Sequence, residues 1–206
     1  MNFHSLTVSM GWIAVTFGIV GTLAQYRRVR VKGVEGVSLA TWVLFSYLGC
    51  FWVAYGLAAH SIEVVAGSVT LLPIQLSIVR SLRPWTRWIV PARALGYFVL
   101  CCVAPTMLWG WAGGVYGAAV AMTITRAPQL IELVRSRDAS GVSASSWYVG
   151  VVGLLCWVVY YTGAHLWAAL ISTSIAGLAS LVIALLATWR HAQADQPASL
   201  REALAV

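Results

Sequence analysis

The stretch RAPQLIELVRSRDASGVSASSWYVGVVGLLCWVVYY, residues 126–161, decides the fold, because it reads as one apolar helix, a short charged loop and a second apolar helix. A similar stretch, TLAQYRRVRVKGVEGVSLATWVLFSYLGCFWVAYG, occupies residues 22–56. Rare residues that recur in register indicate an internal repeat, which changes the whole fold prediction. The shift that superimposes the two G-V-S triplets, 36–38 and 141–143, also pairs Trp42 with Trp147, Trp52 with Trp157, Tyr55 with Tyr160 and His60 with His165.

The composition indicates a lipid environment. Of the 206 residues 60% are hydrophobic and 9% are charged, and the mean hydropathy is +0.82. A soluble domain has about 25% charged residues. The net charge of +7 would also suit a nucleic-acid partner, but the basic residues form separate groups instead of one continuous face, so we predict no nucleic-acid binding. The groups are Arg27, Arg28, Arg30 and Lys32; Arg80, Arg83, Arg87 and Arg93; Arg126, Arg135 and Arg137; and Arg190 and Arg201.

Helices of about 20 apolar residues span a hydrocarbon core of roughly 30 Å. The loops between the predicted spans alternate between basic ones and ones without Lys or Arg, such as 58–61 and 163–166. The positive-inside rule then predicts an external N-terminus and a cytoplasmic C-terminus in the cell membrane, which requires an odd number of spans. Seven windows qualify, at residues 6–26, 38–57, 61–79, 92–109, 111–130, 143–162 and 166–188.

The repeat predicts an all-α membrane protein with seven helices arranged 3+1+3. Both copies place their charged loop on the same side, so the two triple-helix units are parallel. Three helices reverse the side of the chain, and one linker helix restores it. The predicted divisions are a first bundle at 1–87, a linker helix at 88–110, a second bundle at 111–190 and a cytoplasmic tail at 191–206.

The motif order carries a resemblance to a known family. Pro-Gln, a basic loop, Gly-Val-Ser, a Trp and then W-x-x-Y resembles the PQ-loop superfamily and, within it, the two-repeat SWEET sugar transporters and their SemiSWEET relatives. SWEET transporters are one example of proteins whose parallel repeats are related by an axis along the membrane normal. The resemblance implies transport of a small solute by alternating access through a cavity between the two bundles.

Pro128 and Gln129 are predicted to shape a helix inside the second copy. A proline removes a backbone hydrogen bond and kinks a helix, and the side chain of Gln129 is a candidate donor to the freed carbonyl. The resemblance implies a hinge formed by Gln25, Pro128 and Gln129, and a static kink is the alternative. The first copy reads Ala24-Gln25 without the proline, so any hinge is asymmetric.

Trp52 and Trp157 are the main candidates for substrate contact. Indole faces stack on the C–H surface of a sugar, although an interfacial aromatic belt is the alternative interpretation. The belt better explains Trp42, Trp147, Trp109 and Trp111.

The resemblance implies an asparagine on the third helix of each unit, where this chain has Gly67 and Ser172. The further binding candidates are Gly67, Ser68, Ser172 and Thr173, although small residues also let helices pack closely.

An outer gate is predicted where the second helix of each copy ends. The resemblance implies closure there by a tyrosine and a charged pair, and this chain offers Tyr55, His60, Tyr160 and His165. Ordinary loop residues are the alternative for the histidines. Glu63 is interpreted as an acid at a helix N-terminus, which complements the helix dipole, rather than as a charge within the membrane.

The leading functional hypothesis is a facilitator for a small neutral solute, most simply a mono- or disaccharide, without coupling to protons. The alternatives are a proton-coupled carrier of amino acids or other small solutes, and a receptor of the same fold that does not transport. The chain lacks H-E-x-x-H, G-x-S-x-G and C-x-x-C patterns, so we predict no enzyme activity, no catalytic residue, no metal and no cofactor. The lipid bilayer and a solute are the predicted partners, and a homo-oligomer is compatible with the sequence.

Overall fold

The computed structural model describes residues 3–82, 88–136, 138–165 and 167–194. These residues form helices and short connections, with no strand among them. Arg83, Arg87, Arg137, Arg201 and the predicted tail from residue 195 onward lie outside the described residues. The helices are α1 (Phe3–Lys32), α2 (Leu39–Ala58), α3 (Ile62–Ser81), α4 (Ile89–Phe98), a π-helical turn (Val99–Val103), α5 (Ala104–Ile124), α6 (Ala127–Arg135), α7 (Ala144–Gly163) and α8 (Trp167–Ala194).

Six helical segments of the described chain are long and apolar enough to cross a membrane. Their outward faces carry large apolar side chains such as Leu57, Met107 and Leu178, which are more than 60% exposed. An apolar outer surface of this extent is typical of a protein that is solvated by lipid. The prediction of an all-helical chain with apolar helices of membrane-spanning length is therefore confirmed. The segments are Ser5–Lys32, Leu39–Ala58, Ile62–Ser81, Ile89–Arg135, Ala144–Gly163 and Ala169–Ala194.

The 47-residue segment Ile89–Arg135 folds back on itself. Within α5 the helix is interrupted at Trp109 and at Gly110, whose φ of 68° is unfavourable for other residues. A Cβ atom at Gly117 would overlap the carbonyl oxygen of Cys101. In a straight helix these residues would be about 24 Å apart, so the chain reverses direction at the interruption.

The close approach at Cys101 has a local cause. Pro105 has no N–H, so the carbonyl of Cys101 loses its usual helical donor. The helix widens into the π-helical turn Val99–Val103 just before this proline. Glycine on the facing arm then lets the freed carbonyl pack directly against backbone. Pro105 therefore changes the helix type locally.

The internal repeat reappears in the bounds of the helices. Ser38 and Ser143 are the N-caps of α2 and α7, and their hydroxyls accept hydrogen bonds from Thr41 N at 3.4 Å and Ser146 N at 3.1 Å. Serine is a favoured N-cap because it satisfies a free N–H of the first turn. The triple-helix packing repeats as well: α3 contacts α1 and α2, while α8 contacts α5, α6 and α7.

The two copies differ at their first helix. α1 runs without interruption from Phe3 to Lys32, whereas its counterpart stops at Ile124 and resumes at Ala127. Pro128 lies in the first turn of α6, where its missing N–H would have had no helical partner. The predicted asymmetric kink is confirmed, but the helix breaks before the proline instead of at it.

Candidate solute-binding cavity

Gln25 of the first copy clamps the G-V-S loop of the second copy. Its Nε2 donates to the carbonyl oxygen of Gly141 at 2.8 Å, and its Oε1 accepts from Ser143 N at 2.8 Å. The side chain is 1% exposed. Both amide atoms therefore satisfy buried backbone groups that would otherwise lack partners.

Gln129 makes the equivalent contact with the loop of the first copy. Its Nε2 donates to the carbonyl oxygen of Gly36 at 2.6 Å, and its Oε1 accepts from Ser38 N at 2.9 Å. The expectation that Gln129 bonds a carbonyl freed by Pro128 was wrong, because this loop supplies both partners. The role of Gln25 and Gln129 in a hinge stays a prediction, and the structure places both at the contact between the copies.

The two G-V-S loops also touch each other directly. Gly141 N donates to the carbonyl oxygen of Glu35 at 3.1 Å. A Cβ atom at Gly141 would lie 2.5 Å from the carbonyl oxygen of Gly33, and one at Gly36 would lie 2.8 Å from that of Asp138. Only glycine permits this approach. Both loops therefore lie at one end of the molecule, as the parallel repeat predicts.

A cavity in two adjoining parts lies between the two copies. One part has a volume of about 180 Å³ and reaches toward the far ends of α2 and α7. A second part, of about 200 Å³, reaches toward the G-V-S loops. The two parts share several lining residues from both copies, so they adjoin each other. The shared residues are Ala14, Gly18, Phe45, Leu71, Gln75, Leu154 and Trp157.

Five of the six predicted substrate-binding residues line the first part of this cavity: Trp52, Gly67, Ser68, Trp157 and Thr173. Ser172 does not line it. The Ser172 hydroxyl is buried against α5, where it donates to the carbonyl oxygen of Ala119. Sequence spacing put Ser172 and Thr173 together, but neighbouring residues on a helix point about 100° apart.

The predicted outer-gate tyrosines support the cavity tryptophans. The ring centroids of Trp52 and Tyr55 are 5.6 Å apart, and those of Trp157 and Tyr160 are 5.3 Å apart, both edge to face. Such pairs hold an aromatic wall in one orientation. His60 and His165 are exposed in the connections that follow α2 and α7, with φ values of 52° and 55°.

Glu63 lies in the first turn of α3, so its interpretation as a helix N-terminal acid is confirmed. Ser61 is the N-cap, and its hydroxyl donates to Glu63 Oε2 at 3.0 Å. The same carboxylate side chain also lines the first part of the cavity. It therefore places a carboxyl group at the end of the cavity remote from the G-V-S loops.

Trp42 and Trp147 are buried, at 5% and 7% exposure, and both line the second part of the cavity. Their assignment to an interfacial aromatic belt was wrong, because the shared N-cap geometry turns both side chains inward one turn after the loop. Trp109 and Trp111, at 70% and 40%, are surface residues, as a belt requires. Periodicity alone did not separate the two pairs, since all four tryptophans flank a predicted span end.

Arg126 is the functional candidate that sequence reasoning missed. Grouping it with loop residues was wrong: the side chain is 6% exposed and lines the second part of the cavity. Its Nε donates to Ser180 Oγ at 2.8 Å, its Nη1 donates to the carbonyl oxygen of Met122, and its Cζ lies 5.4 Å from the centre of the Phe45 ring. The sequence separation from Arg135 was the available signal. Nine residues of helix would place Arg126 about 13 Å deeper in the membrane than Arg135.

The chain matches no protein-family model, and no curated protein matches it significantly. The motifs and the cavity therefore carry the functional argument.

Proposed function

We propose that this chain is a membrane carrier of the SWEET-like type, which moves a small solute across a membrane by alternating access. The observation that carries the proposal is a cavity lined by both copies of the repeat, with Trp52 and Trp157 on its wall. Pockets for small molecules combine apolar and aromatic walls with a few polar groups. Here, glycine and hydroxyl side chains stand among the aromatic ones.

The proposed topology has seven spans in a 3+1+3 arrangement. The segment Ile89–Arg135 would cross the membrane twice, because it reverses direction at Gly110 and each arm is about 20 residues or more, enough for the hydrocarbon core. The N-terminus would then lie outside the cell membrane. The G-V-S loops and the C-terminus would lie in the cytoplasm, following the basic residues of the loops.

Alternating access requires the two ends of the cavity to open in turn. At the loop end, Gln25 and Gln129 hold the two copies together, so these contacts must break or slide for a solute to pass. The break between Ile124 and Ala127, followed by Pro128, is the natural place for the second copy to bend. The continuous α1 would move as one rod.

The resemblance to SWEETs favours a mono- or disaccharide as the solute. Proton-coupled transport is the second candidate, and Glu63 favours it because this carboxylate lines the cavity. The two candidates differ in a simple way. A facilitator equilibrates its solute without a pH gradient, whereas coupling through Glu63 would make uptake follow the gradient and depend on that residue.

Uptake into proteoliposomes tests the proposal with a panel of radiolabelled sugars, sugar acids and amino acids. We expect at least one solute to equilibrate without a proton gradient. Trp52→Ala and Trp157→Ala should each slow its uptake by a few-fold to about tenfold, since an aromatic contact contributes about 0.5–1.5 kcal/mol. Trp12→Ala is the control, because Trp12 is 41% exposed and does not line the cavity.

Normal uptake by both cavity variants would refute the assignment of the cavity as the transport path. Loss of uptake in Glu63→Gln, together with dependence on a pH gradient in the unaltered protein, would replace the facilitator by the proton-coupled carrier.

A further inference from the structure

Arg126 presents unused hydrogen-bond donors at the loop end of the cavity. Its contacts with Ser180 and Met122 use Nε and Nη1, and Nη2 donates to no described residue. Among the described residues, no carboxylate forms an ion pair with this guanidinium. The partners that it has are a hydroxyl, a carbonyl and the face of Phe45, all of them neutral.

A second donor without a partner lies on the same part of the cavity. Trp42 is 5% exposed, lines the second part of the cavity, and its Nε1 has no hydrogen-bond partner within the described chain. A buried donor that stays unsatisfied is destabilising. Trp42 Nε1 and the free donors of Arg126 therefore belong to residues that line one part of the cavity, which points to an acceptor that enters from outside the protein.

The charge of Arg126 specifies the kind of acceptor. A charged side chain inside a membrane-spanning bundle is costly and usually marks a functional site. Neutral partners offset little of this cost, whereas a carboxylate forms paired, charge-assisted hydrogen bonds with the planar guanidinium. A neutral sugar would leave the charge of Arg126 uncompensated.

Gln75 adds an acceptor to the same space. It lines both parts of the cavity, and its Oε1 is buried without a hydrogen-bond partner in the described chain. A hydroxyl of the solute would satisfy this atom. Glu63 is three turns from Gln75 on the same helix, about 18 Å along its axis, so its carboxyl group lies toward the other end of the cavity.

We propose that the cavity binds a small hydroxylated carboxylate, such as a sugar acid or hydroxy acid, with its carboxylate on Arg126. This inference rests on the proposed carrier function and names its substrate class. The aromatic wall would contact the C–H surface of the solute, as it would for a sugar, while Arg126 and the Trp42 N–H select the acid over its neutral analogue.

Ligand-dependent thermal stability of the full-length protein in detergent tests this site apart from transport. The probes are two matched pairs, gluconate against glucose and lactate against lactamide, at constant ionic strength with chloride as the reference anion. We expect gluconate or lactate to raise the melting temperature, and glucose, lactamide and chloride to leave it nearly unchanged.

Arg126→Gln removes the charge and keeps a polar side chain of moderate length. We expect its affinity for the carboxylate probe to fall roughly 10- to 100-fold, while its melting temperature without ligand stays near that of the unaltered protein. Arg135→Gln is the control, because Arg135 is exposed and lies outside the cavity. A merely structural role of Arg126 would lower the ligand-free melting temperature instead and leave the carboxylate-induced shift in place.

The outcomes separate this inference from the function on which it rests. Equal stabilisation by acid and neutral probes, an equal effect of chloride, or an unchanged carboxylate response in Arg126→Gln would each overturn the inference, and glucose uptake in liposomes would still support a carrier. Carboxylate binding through Arg126 without uptake of any probe would support the anion site and refute the carrier.

Discussion

The two copies of the repeat agree at the loops and differ along the cavity. Each has a G-V-S loop, a serine N-cap and a glutamine that clamps the loop of the other copy. Across the cavity, Thr22 in the first copy aligns with Arg126 in the second. The hydroxyl of Thr22 is bonded within its own helix, to the carbonyl oxygen of Gly18, and the guanidinium reaches across to Phe45 of the other copy.

The residues around Thr22 and Arg126 also differ between the two copies. Phe45, which lies under the guanidinium, aligns with Gly150, and Gln75 aligns with Ser180. The symmetric positions therefore join the two copies, while the asymmetric positions set the charge and polarity of the space between them. A duplicated chain can keep the first set fixed and vary the second to change the chemistry of the space between the copies.

The largest effect is expected at the symmetric glutamines. Gln25→Ala and Gln129→Ala each leave one buried N–H and one buried carbonyl without a partner, and each such group costs about 1–3 kcal/mol. We expect both variants to lose about 2–5 kcal/mol of unfolding free energy, by similar amounts. Titration with SDS, followed by tryptophan fluorescence, measures this loss.

Gln75→Ala is the matched control for the clamps, since Oε1 of Gln75 has no hydrogen-bond partner in the described structure. It should cost well under half as much. A much larger loss for one clamp than for the other would show that the two copies are not equivalent at the loops.

A smaller effect is expected at the symmetric turns after α2 and α7. His60 and His165 adopt left-handed backbone conformations, which cost a non-glycine residue about 1 kcal/mol or more. His60→Gly and His165→Gly should each raise the unfolding free energy by about 1 kcal/mol in the same SDS titration. Ala59→Gly, at a φ of −88°, should give no gain. A gain at only one histidine would break the equivalence of the two turns.

The sequence predicted the parts of the fold that depend on local chemistry. Two apolar windows begin at Ser38 and Ser143, which are the N-caps of α2 and α7. The windows 92–109 and 111–130 meet at Gly110, where the chain reverses. The windows match the helices within a few residues at most ends. Five of the six predicted binding residues line one cavity because the repeat placed Trp52 and Trp157, and Gly67, Ser68 and Thr173, on corresponding helices.

The rest depended on contacts between distant parts of the chain. Gln129 bonds residues more than 90 positions earlier in the sequence, so inspection of its own helix suggested the wrong partner. Arg126 was counted among loop charges because a basic residue near a span end is usually solvated. Its burial depends on Ser180 and Phe45, which lie on other helices. Trp42 and Trp147 were placed at the membrane interface for a similar reason.

The most direct test of whether two parallel modules enclose one cavity is the side of the membrane from which four introduced cysteines, one per variant, can be labelled. The positions are Glu35 and Asp138 in the two loops, and Ala59 and Ala164 after α2 and α7, in a protein whose native cysteines are replaced. A membrane-impermeant maleimide, added to right-side-out or inverted vesicles, should label Glu35→Cys and Asp138→Cys from one side only, and Ala59→Cys and Ala164→Cys from the other side only. Labelling of Glu35→Cys and Asp138→Cys from opposite sides would contradict the parallel repeat and the carrier built on it.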